Sequence, residues 1–118
     1  MNAILISKDL LFITKVKEVA TASGARLTVA KSSEVLEQAL EASPAGGVVM
    51  IDLEKTPLSL EVIHETVSKG VGRSWRVCGF FSHIHVESAQ MARQYGFQEV
   101  MPRSRFVAVL PDLLSSLS

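Results

Sequence analysis

The stretch GGVVMIDLEKTP, from Gly46 to Pro57, decides the fold and raises the question of function. Four consecutive apolar residues, Val48 to Ile51, lead directly into a single acid, Asp52. A short strand that is apolar on both faces is typical of a parallel sheet covered by helices on both sides. The acid at its end is then either a polar residue that meets water or a carboxylate presented at the mouth of the sheet.

The segments before and after this strand alternate between strand and helix patterns. Apolar residues recur at helical spacing between the strand-like runs, and Gly24 and Gly96 are natural helix ends. The predicted strands are residues 3–7, 26–30, 48–52, 76–81 and 98–101. This alternation predicts an α/β fold, a doubly wound five-stranded parallel sheet of order 2-1-3-4-5 with helices on both faces.

Length and composition predict one domain that spans residues 1–118. Twelve basic residues balance twelve acidic ones, which argues against a nucleic-acid partner or a membrane-surface partner. The start lacks a basic leader and no apolar run approaches a membrane span, so we expect a cytoplasmic protein. The lone cysteine, Cys78, lies in an apolar run and is predicted to be an inert core thiol.

Polar side chains follow the strands at the edge where ligands bind in such sheets. The four that the topology is expected to bring together are Asp9, Asp52, Ser82 and Arg103. Two carboxylates, a hydroxyl and a cation are a suitable set for a phosphoryl group and for a hard metal ion such as Mg²⁺. Each of these residues could instead have a purely structural role. Asp52 could be a solvated acid at a strand end, Asp9 and Ser82 could cap helices, and Arg103 could form a surface ion pair.

These positions resemble the receiver domain of bacterial two-component response regulators, which has the CheY-like fold. The resemblance rests on four segments: ILISKDL, which includes the first strand and the residues after it, VVMIDLEKTP, FFSHI, and YGFQEVMPRS near the fifth strand. It implies that Asp52 is the phosphoacceptor, that Asp9 and Asp52 bind Mg²⁺, and that Ser82 and Arg103 contact the phosphoryl oxygens. It implies no enzymatic activity beyond self-phosphorylation and dephosphorylation at Asp52.

Three departures from the family pattern indicate an atypical or pseudo-receiver. Lys8 stands where the family has an acid, which should weaken Mg²⁺ binding and place an ammonium near Asp52. Arg103 replaces the family's lysine and is followed by Ser104. Val100 or Met101 stands where the family usually has a switch aromatic. The phosphorylation site at Asp52 is therefore predicted to be degenerate, and no cofactor is predicted to be required, with Mg²⁺ left open.

The leading functional prediction is a signalling module that binds a protein partner, either a histidine kinase or a downstream regulator. By resemblance, the partner surface is helix four, strand five and helix five, with Arg93, Arg105 and Phe106 as contacts, and the same surface could form a homodimer. Two alternatives stay open, a working Mg²⁺-dependent phosphoacceptor and a small-ligand binder in the same crevice. Metal binding by His83 and His85 is a minor alternative.

The last predicted helix and the segment before the fourth strand each contain a residue with a local structural consequence. Pro111 interrupts an apolar helical stripe, so we expect a kink or a break in the last helix. Trp75 stands near a predicted helix end and is expected to be an exposed aromatic.

Overall fold

The computed structural model describes residues 1–69, 74–82, 86–97 and 99–115, and the side chains of residues 86–89 are not considered. Five strands alternate with five helices in this part of the chain. In chain order they are β1 (Asn2–Ile6), α1 (Leu10–Ser23), β2 (Arg26–Val29), α2 (Ser33–Glu41), β3 (Val48–Asp52), α3 (Leu60–Ser68), β4 (Arg76–Phe81), α4 (Val86–Gln94), β5 (Glu99–Pro102) and α5 (Arg103–Ser115). All pairings are parallel and the strand order is β2-β1-β3-β4-β5, so the predicted topology is confirmed.

Side-chain caps explain where three of the helices begin. Asp9, Ser32 and Ser59 have extended backbones, and each side chain accepts a hydrogen bond from an N–H of the first helical turn. Gly24 ends α1 in the left-handed conformation, with φ of 73°, which a glycine adopts without steric cost. The observed bounds of β1, β2 and β5 differ from the predicted ones by one residue at one or both ends. Gln98, the first residue of the predicted fifth strand, lies outside the described residues.

The central strand β3 is buried on both faces, as its sequence predicts. Val48 and Met50 belong to a core beneath α1 and α5, whereas Val49 and Ile51 belong to a second core beneath the helices of the other face. This alternation leaves Asp52 at the strand end between the two cores, at the edge where the loops meet. None of the helices in the described ranges has the length and apolarity to cross a membrane.

The expectation of an exposed Trp75 was wrong, and α5 shows no break at Pro111. Trp75 is only 6% exposed, because it packs into the second core beside Gly47, where a Cβ would lie 2.7 Å from its ring. The helix α5 continues through Pro111 to Ser115 without the break that we considered. Proline removes one helical hydrogen bond, and the burial of Leu110, Leu113 and Leu114 on both sides of it holds the helix against the sheet.

The lone cysteine behaves as the sequence predicts. Cys78 is fully buried in the core beneath α1 and α5. Burial, with a smaller contribution from the charge of Glu99, raises the pKa of its thiol to about 12. The thiolate is the reactive form of cysteine, so this side chain is a small core hydrophobe rather than a nucleophile.

Candidate functional site

Asp52 lies at the carboxyl end of β3 and is only 1% exposed. Its Oδ1 accepts hydrogen bonds from the backbone N–H groups of Glu54 and Lys55, at 3.2 and 3.0 Å. Its Oδ2 accepts one from the hydroxyl of Ser7 at 2.9 Å, and a guanidinium nitrogen of Arg103 lies 3.4 Å away. A buried carboxylate is stable only with such partners, and here both oxygens are engaged.

Ser7 is the side chain next to Asp52 on the neighbouring strand, and the sequence analysis gave it no role. The parallel register pairs Ile6 with Ile51, so the following residues, Ser7 and Asp52, lie side by side. Ser7 is fully buried, and its oxygen also accepts a hydrogen bond from the backbone N–H of Asp9 at 3.1 Å. A small hydroxyl directly after the apolar run from Ala3 to Ile6, at the end of a predicted strand, was the signal that could have identified it.

Arg103, the first residue of α5, joins the two predicted carboxylates. One terminal nitrogen of its guanidinium lies 3.3 Å from Oδ2 of Asp9 and 3.4 Å from Oδ2 of Asp52. The guanidinium carbon lies 4.2 Å from the ring centroid of Phe12, which supports the cation from below. Within the described part of the chain the Nε of Arg103 is buried without a hydrogen-bond partner, so the guanidinium is held by the two carboxylates and by the ring of Phe12.

Among the described residues, the cations that form ion pairs at this site are Arg103 and Lys55, and Lys8 is not one of them. Lys55 Nζ lies 3.5 Å from Oδ2 of Asp9. Lys8 is exposed and forms no ion pair within the described part of the chain, although its backbone N–H donates to the carbonyl of Lys55 at 2.8 Å. The prediction of a Lys8 ammonium beside Asp52 was therefore wrong, because the strand carries Ser7 inward and the next residue faces solvent.

Partial burial acts to raise the pKa of Asp9, but opposing contacts lower it overall. The N–H of Phe12, the charge of Lys55 and the guanidinium of Arg103 all favour the ionised carboxylate and bring its pKa below the ordinary value. Asp9 thus has both roles that its sequence position allowed, helix cap and member of the site.

We expect the contribution of Asp9 to stability to depend on pH. A carboxyl with a lowered folded pKa stabilises the protein fully above its unfolded value of about 3.9 and loses this contribution as the pH falls through the folded pKa. Asp9→Asn keeps a good helix cap and removes the charge. Urea unfolding should show the variant less stable than the wild type at pH 7, with the difference shrinking towards pH 3. An equal difference at both pH values would contradict the ion pairs at Asp9.

Ser82 is engaged by a residue that the sequence analysis did not consider. Its backbone N–H and its hydroxyl both donate to Oε1 of Glu54, with the hydroxyl bond at 2.9 Å. Glu54 stands two residues after Asp52, in the loop that follows β3. A carboxylate of the chain itself therefore occupies the donors that were predicted to hold a phosphoryl group.

The two carboxylates of Asp9 and Asp52 are arranged to bind a guanidinium rather than Mg²⁺. A metal ion bound by Asp9 and Asp52 would have to displace the nitrogen of Arg103 that lies between them, and Lys55 would add repulsion. In the part of the chain that is described, no three His, Cys, Asp or Glu side chains form a group able to hold a metal. His83 and His85 lie outside the described residues.

The three predicted partner contacts divide between surface and core. Arg93 on α4 and Arg105 on α5 are exposed. Phe106 has no exposed surface and stacks on Phe80, with ring centroids 4.2 Å apart, so its prediction as a partner contact was wrong. The helix directs residue 105 outward and residue 106 towards the sheet.

Comparison with solved structures finds many receiver domains with the same architecture. A response regulator from Thermotoga maritima has a TM-score of 0.72 and 13% identity, over 98% of both chains. The non-phosphorylated HemR receiver domain from Leptospira biflexa has a TM-score of 0.73 and 17% identity, over 99% of this chain and 95% of that one.

A third similar structure carries ligands. It is a response regulator protein from Burkholderia pseudomallei with a phosphorylated aspartic acid, a calcium ion and citrate, with a TM-score of 0.68 and 15% identity over 98% of this chain and 66% of that one. No protein-family model matches the sequence, and no curated protein matches it. At these identities the likeness concerns the fold, and the chain has the fold of response-regulator receiver domains.

Proposed function

We propose that this chain is a receiver-like signalling module that acts through protein–protein interaction, and that Asp52 is a degenerate phosphorylation site. The observation that carries the proposal is the single nitrogen of Arg103 at 3.3 Å from Asp9 and 3.4 Å from Asp52. An internal cation thus takes the place between the carboxylates that a metal would need. The receiver fold supports the signalling role.

The contacts of Asp52 argue against phosphoryl transfer to it. In-line attack requires a carboxylate oxygen to approach the phosphorus, with a metal and further cations to neutralise the charge that develops. Both oxygens of Asp52 are already engaged and the side chain is 1% exposed. The hydroxyl of Ser82 is directed to Glu54. Attack through Oδ2 would require Ser7 and Arg103 to release that oxygen, and a phosphoryl contact from Ser82 would require its hydroxyl to leave Glu54.

The surface formed by α4, β5 and α5 is our proposed contact region for a signalling protein, either a histidine kinase or a downstream regulator. Arg93 and Arg105 are exposed there. A groove of about 300 Å³ between β5 and α5 is lined by Arg105, Met101 and Asp112 among others, and at its end Arg76 forms an ion pair with Glu99 at 2.6 Å. The lining combines apolar and charged side chains, and such a mixture is common at protein interfaces. The same surface is the proposed site of a homodimer.

Incubation with Mg²⁺ and a small phosphodonor, followed by intact-mass measurement, tests the state of the phosphorylation site. We expect no gain of a phosphoryl group by the wild type, because Arg103 holds Asp52 and excludes the metal. Asp52→Asn is the control for modification elsewhere. A gain by the wild type that is absent in Asp52→Asn would overturn the proposal and establish a working phosphoacceptor.

A binding measurement with a candidate histidine kinase or regulator tests the interaction role. We expect Arg105→Glu to weaken binding, whereas Glu34→Gln, on a helix of the other face, should leave it unchanged. Binding that is unaffected by the charge reversal at Arg105 would contradict the proposed surface.

A further inference from the structure

The backbone of the loop that follows β3 is hydrogen-bonded on both sides of Glu54. The N–H of Leu53 donates to the carbonyl of Phe80 at 2.9 Å, which continues the pairing with β4 by one residue. The N–H groups of Glu54 and Lys55 both donate to Oδ1 of Asp52, at 3.2 and 3.0 Å, as aspartate does in tight turns. Three successive backbone bonds therefore give Glu54 a defined position beside the end of β4.

The side chain of Glu54 extends to the end of β4 and contacts Ser82. Its Oε1 accepts hydrogen bonds from both the backbone N–H and the hydroxyl of Ser82, the latter at 2.9 Å. The strand register pairs Asp52 with Phe80, so Glu54 and Ser82 each lie two residues beyond this pair. Hydrogen bonds to an ionised acceptor are roughly twice as strong as neutral ones. One carboxylate oxygen therefore holds both the backbone and the side chain of Ser82.

The chemistry of this contact is similar to that predicted for a phosphoryl group. The receiver resemblance implies that the Ser82 hydroxyl contacts a phosphoryl oxygen on Asp52. A phosphoryl group presents anionic acceptor oxygens, and a carboxylate does the same with less charge. Glu54 supplies its oxygen from the chain itself, so this contact needs neither a phosphodonor nor a metal ion.

The position of Ser82 limits where α4 begins. The strand β4 ends at Phe81 and α4 begins at Val86, and the four residues between them span at most about 14 Å. Between residues 90 and 94, Ala92 is the one buried side chain. A helix with so little buried surface is held weakly by packing, so its placement depends on the connection at its start.

We propose that Glu54 is an internal substitute for a phosphoryl group at this site. Its carboxylate holds Ser82 permanently, and Ser82 keeps α4 in one position whether or not Asp52 is modified. This inference rests on the proposed function in one respect, since it takes α4, β5 and α5 as the interaction surface. It adds the mode of regulation: the surface is permanently ready for its partner, and phosphorylation does not switch it.

Amide hydrogen exchange measured by NMR tests whether Glu54 holds α4. The amides of Tyr95 and Phe97 donate to the carbonyls of Met91 and Ala92, both at 3.1 Å, so their exchange reports the stability of α4 at the end away from β4. We expect both amides to exchange about tenfold faster in Glu54→Ala, since two charge-assisted hydrogen bonds are lost. Glu54→Gln should give a smaller increase, because its amide oxygen accepts the same bonds without the charge.

Glu37→Ala is the matched control, since Glu37 is an exposed glutamate on α2. It should leave the exchange of Tyr95 and Phe97 unchanged. The amide of Ala30, which donates to a carbonyl of β1 at 2.9 Å, reports the stability of the sheet. Unchanged exchange of Tyr95 and Phe97 in Glu54→Ala would overturn the proposal. An equal acceleration at Ala30 would overturn it as well, because the effect would then be a general loss of stability.

Exchange in the wild type with Mg²⁺ and acetyl phosphate separates this inference from the proposed function. We expect no change at Tyr95 and Phe97, because Glu54 already occupies the donors of Ser82. Slower exchange on addition of the phosphodonor, absent in Asp52→Asn, would show that a phosphoryl group holds α4 and would overturn the inference. A gain of phosphoryl mass at Asp52 without a change in exchange would overturn only the degenerate phosphorylation site and would support the permanent role of Glu54.

Discussion

Asp52→Asn is expected to destabilise the protein by about 2–3 kcal/mol, because it removes charge-assisted hydrogen bonds from a buried site. In the described ranges the carboxylate accepts hydrogen bonds from the Ser7 hydroxyl, from two backbone N–H groups and from the guanidinium of Arg103. An asparagine amide presents its own donor to one of these groups and loses the ion pair.

The sign of the change in the free energy of unfolding distinguishes an acidic metal site from a site whose carboxylates are neutralised by internal cations. In an acidic metal site without metal, carboxylates repel one another, so neutralising one of them relieves the repulsion and stabilises the protein. In the site described here, Arg103 and Lys55 already neutralise Asp9 and Asp52, so neutralising Asp52 leaves Arg103 without one of its partners. The same substitution thus has opposite signs under the two descriptions.

Urea unfolding of the wild type and Asp52→Asn measures the difference, and Asp112→Asn is the control. Asp112 is an exposed carboxylate on α5, so its replacement should change the free energy of unfolding by less than about 0.5 kcal/mol. A double-mutant cycle with Arg103→Gln should give a coupling energy of about 1–3 kcal/mol, since the two side chains are in contact. An Asp52→Asn variant as stable as the wild type, or more stable, would show that Arg103 does not hold the carboxylate.

The fold could be predicted from the sequence because its signals are local and consistent. The run from Val48 to Ile51 is apolar at every position, and its short length, its β-branched residues and the flanking glycines favour a strand that is covered on both faces. Capping residues and glycines mark the helix ends, and alternation then restricts the order of the strands. The ends of strands were predicted less accurately, since the last residue of a strand depends on pairing with its neighbour.

The contacts within the site could be predicted only in part. The topology correctly places Asp9, Asp52 and Arg103 together, because strand ends of a parallel sheet share one edge. Which cation contacts Asp52 depends on the direction of each side chain, and this direction alternates between adjacent residues. Ser7 therefore points inward to Asp52, whereas Lys8 is exposed to solvent. The engagement of Ser82 by Glu54 joins two loops, and no local pattern encodes the relative position of loops.

For Phe106, the helical periodicity of the sequence conflicts with the role of partner contact that the family resemblance implied. It opens the apolar helical stripe of α5 together with Val109, Leu110 and Leu113, which predicts that it faces the sheet. Its assignment as a partner contact came from the position of the surface in the resembled family, without regard to this periodicity. The hydrophobic period is a direct consequence of helix geometry, and the structure follows it.

Phe106→Ala is expected to destabilise the protein by about 3–5 kcal/mol, the usual cost of removing a fully buried aromatic side chain. The ring stacks on Phe80 at 4.2 Å and lies 6.0 Å from Phe12, whose ring supports Arg103. The cavity would therefore remove packing from the core and also loosen the support of the cation that holds Asp52. Arg105→Ala, at the exposed neighbouring position, should change stability by less than about 0.5 kcal/mol.

Urea unfolding of both variants provides the measurement, and Phe106→Leu gives an intermediate case that keeps most of the apolar volume. We expect the loss of stability to rank Phe106→Ala, Phe106→Leu and Arg105→Ala in decreasing order. The two Phe106 substitutions remove contacts in the core and leave the surface unchanged. Any loss of partner binding by these variants should therefore be proportional to the fraction of protein that is unfolded. Arg105→Glu, in contrast, should weaken binding in a fully folded protein, because its side chain is exposed on α5. If the Phe106→Leu variant is folded and yet does not bind the partner, Phe106 is part of the interaction surface, and this result would contradict its burial.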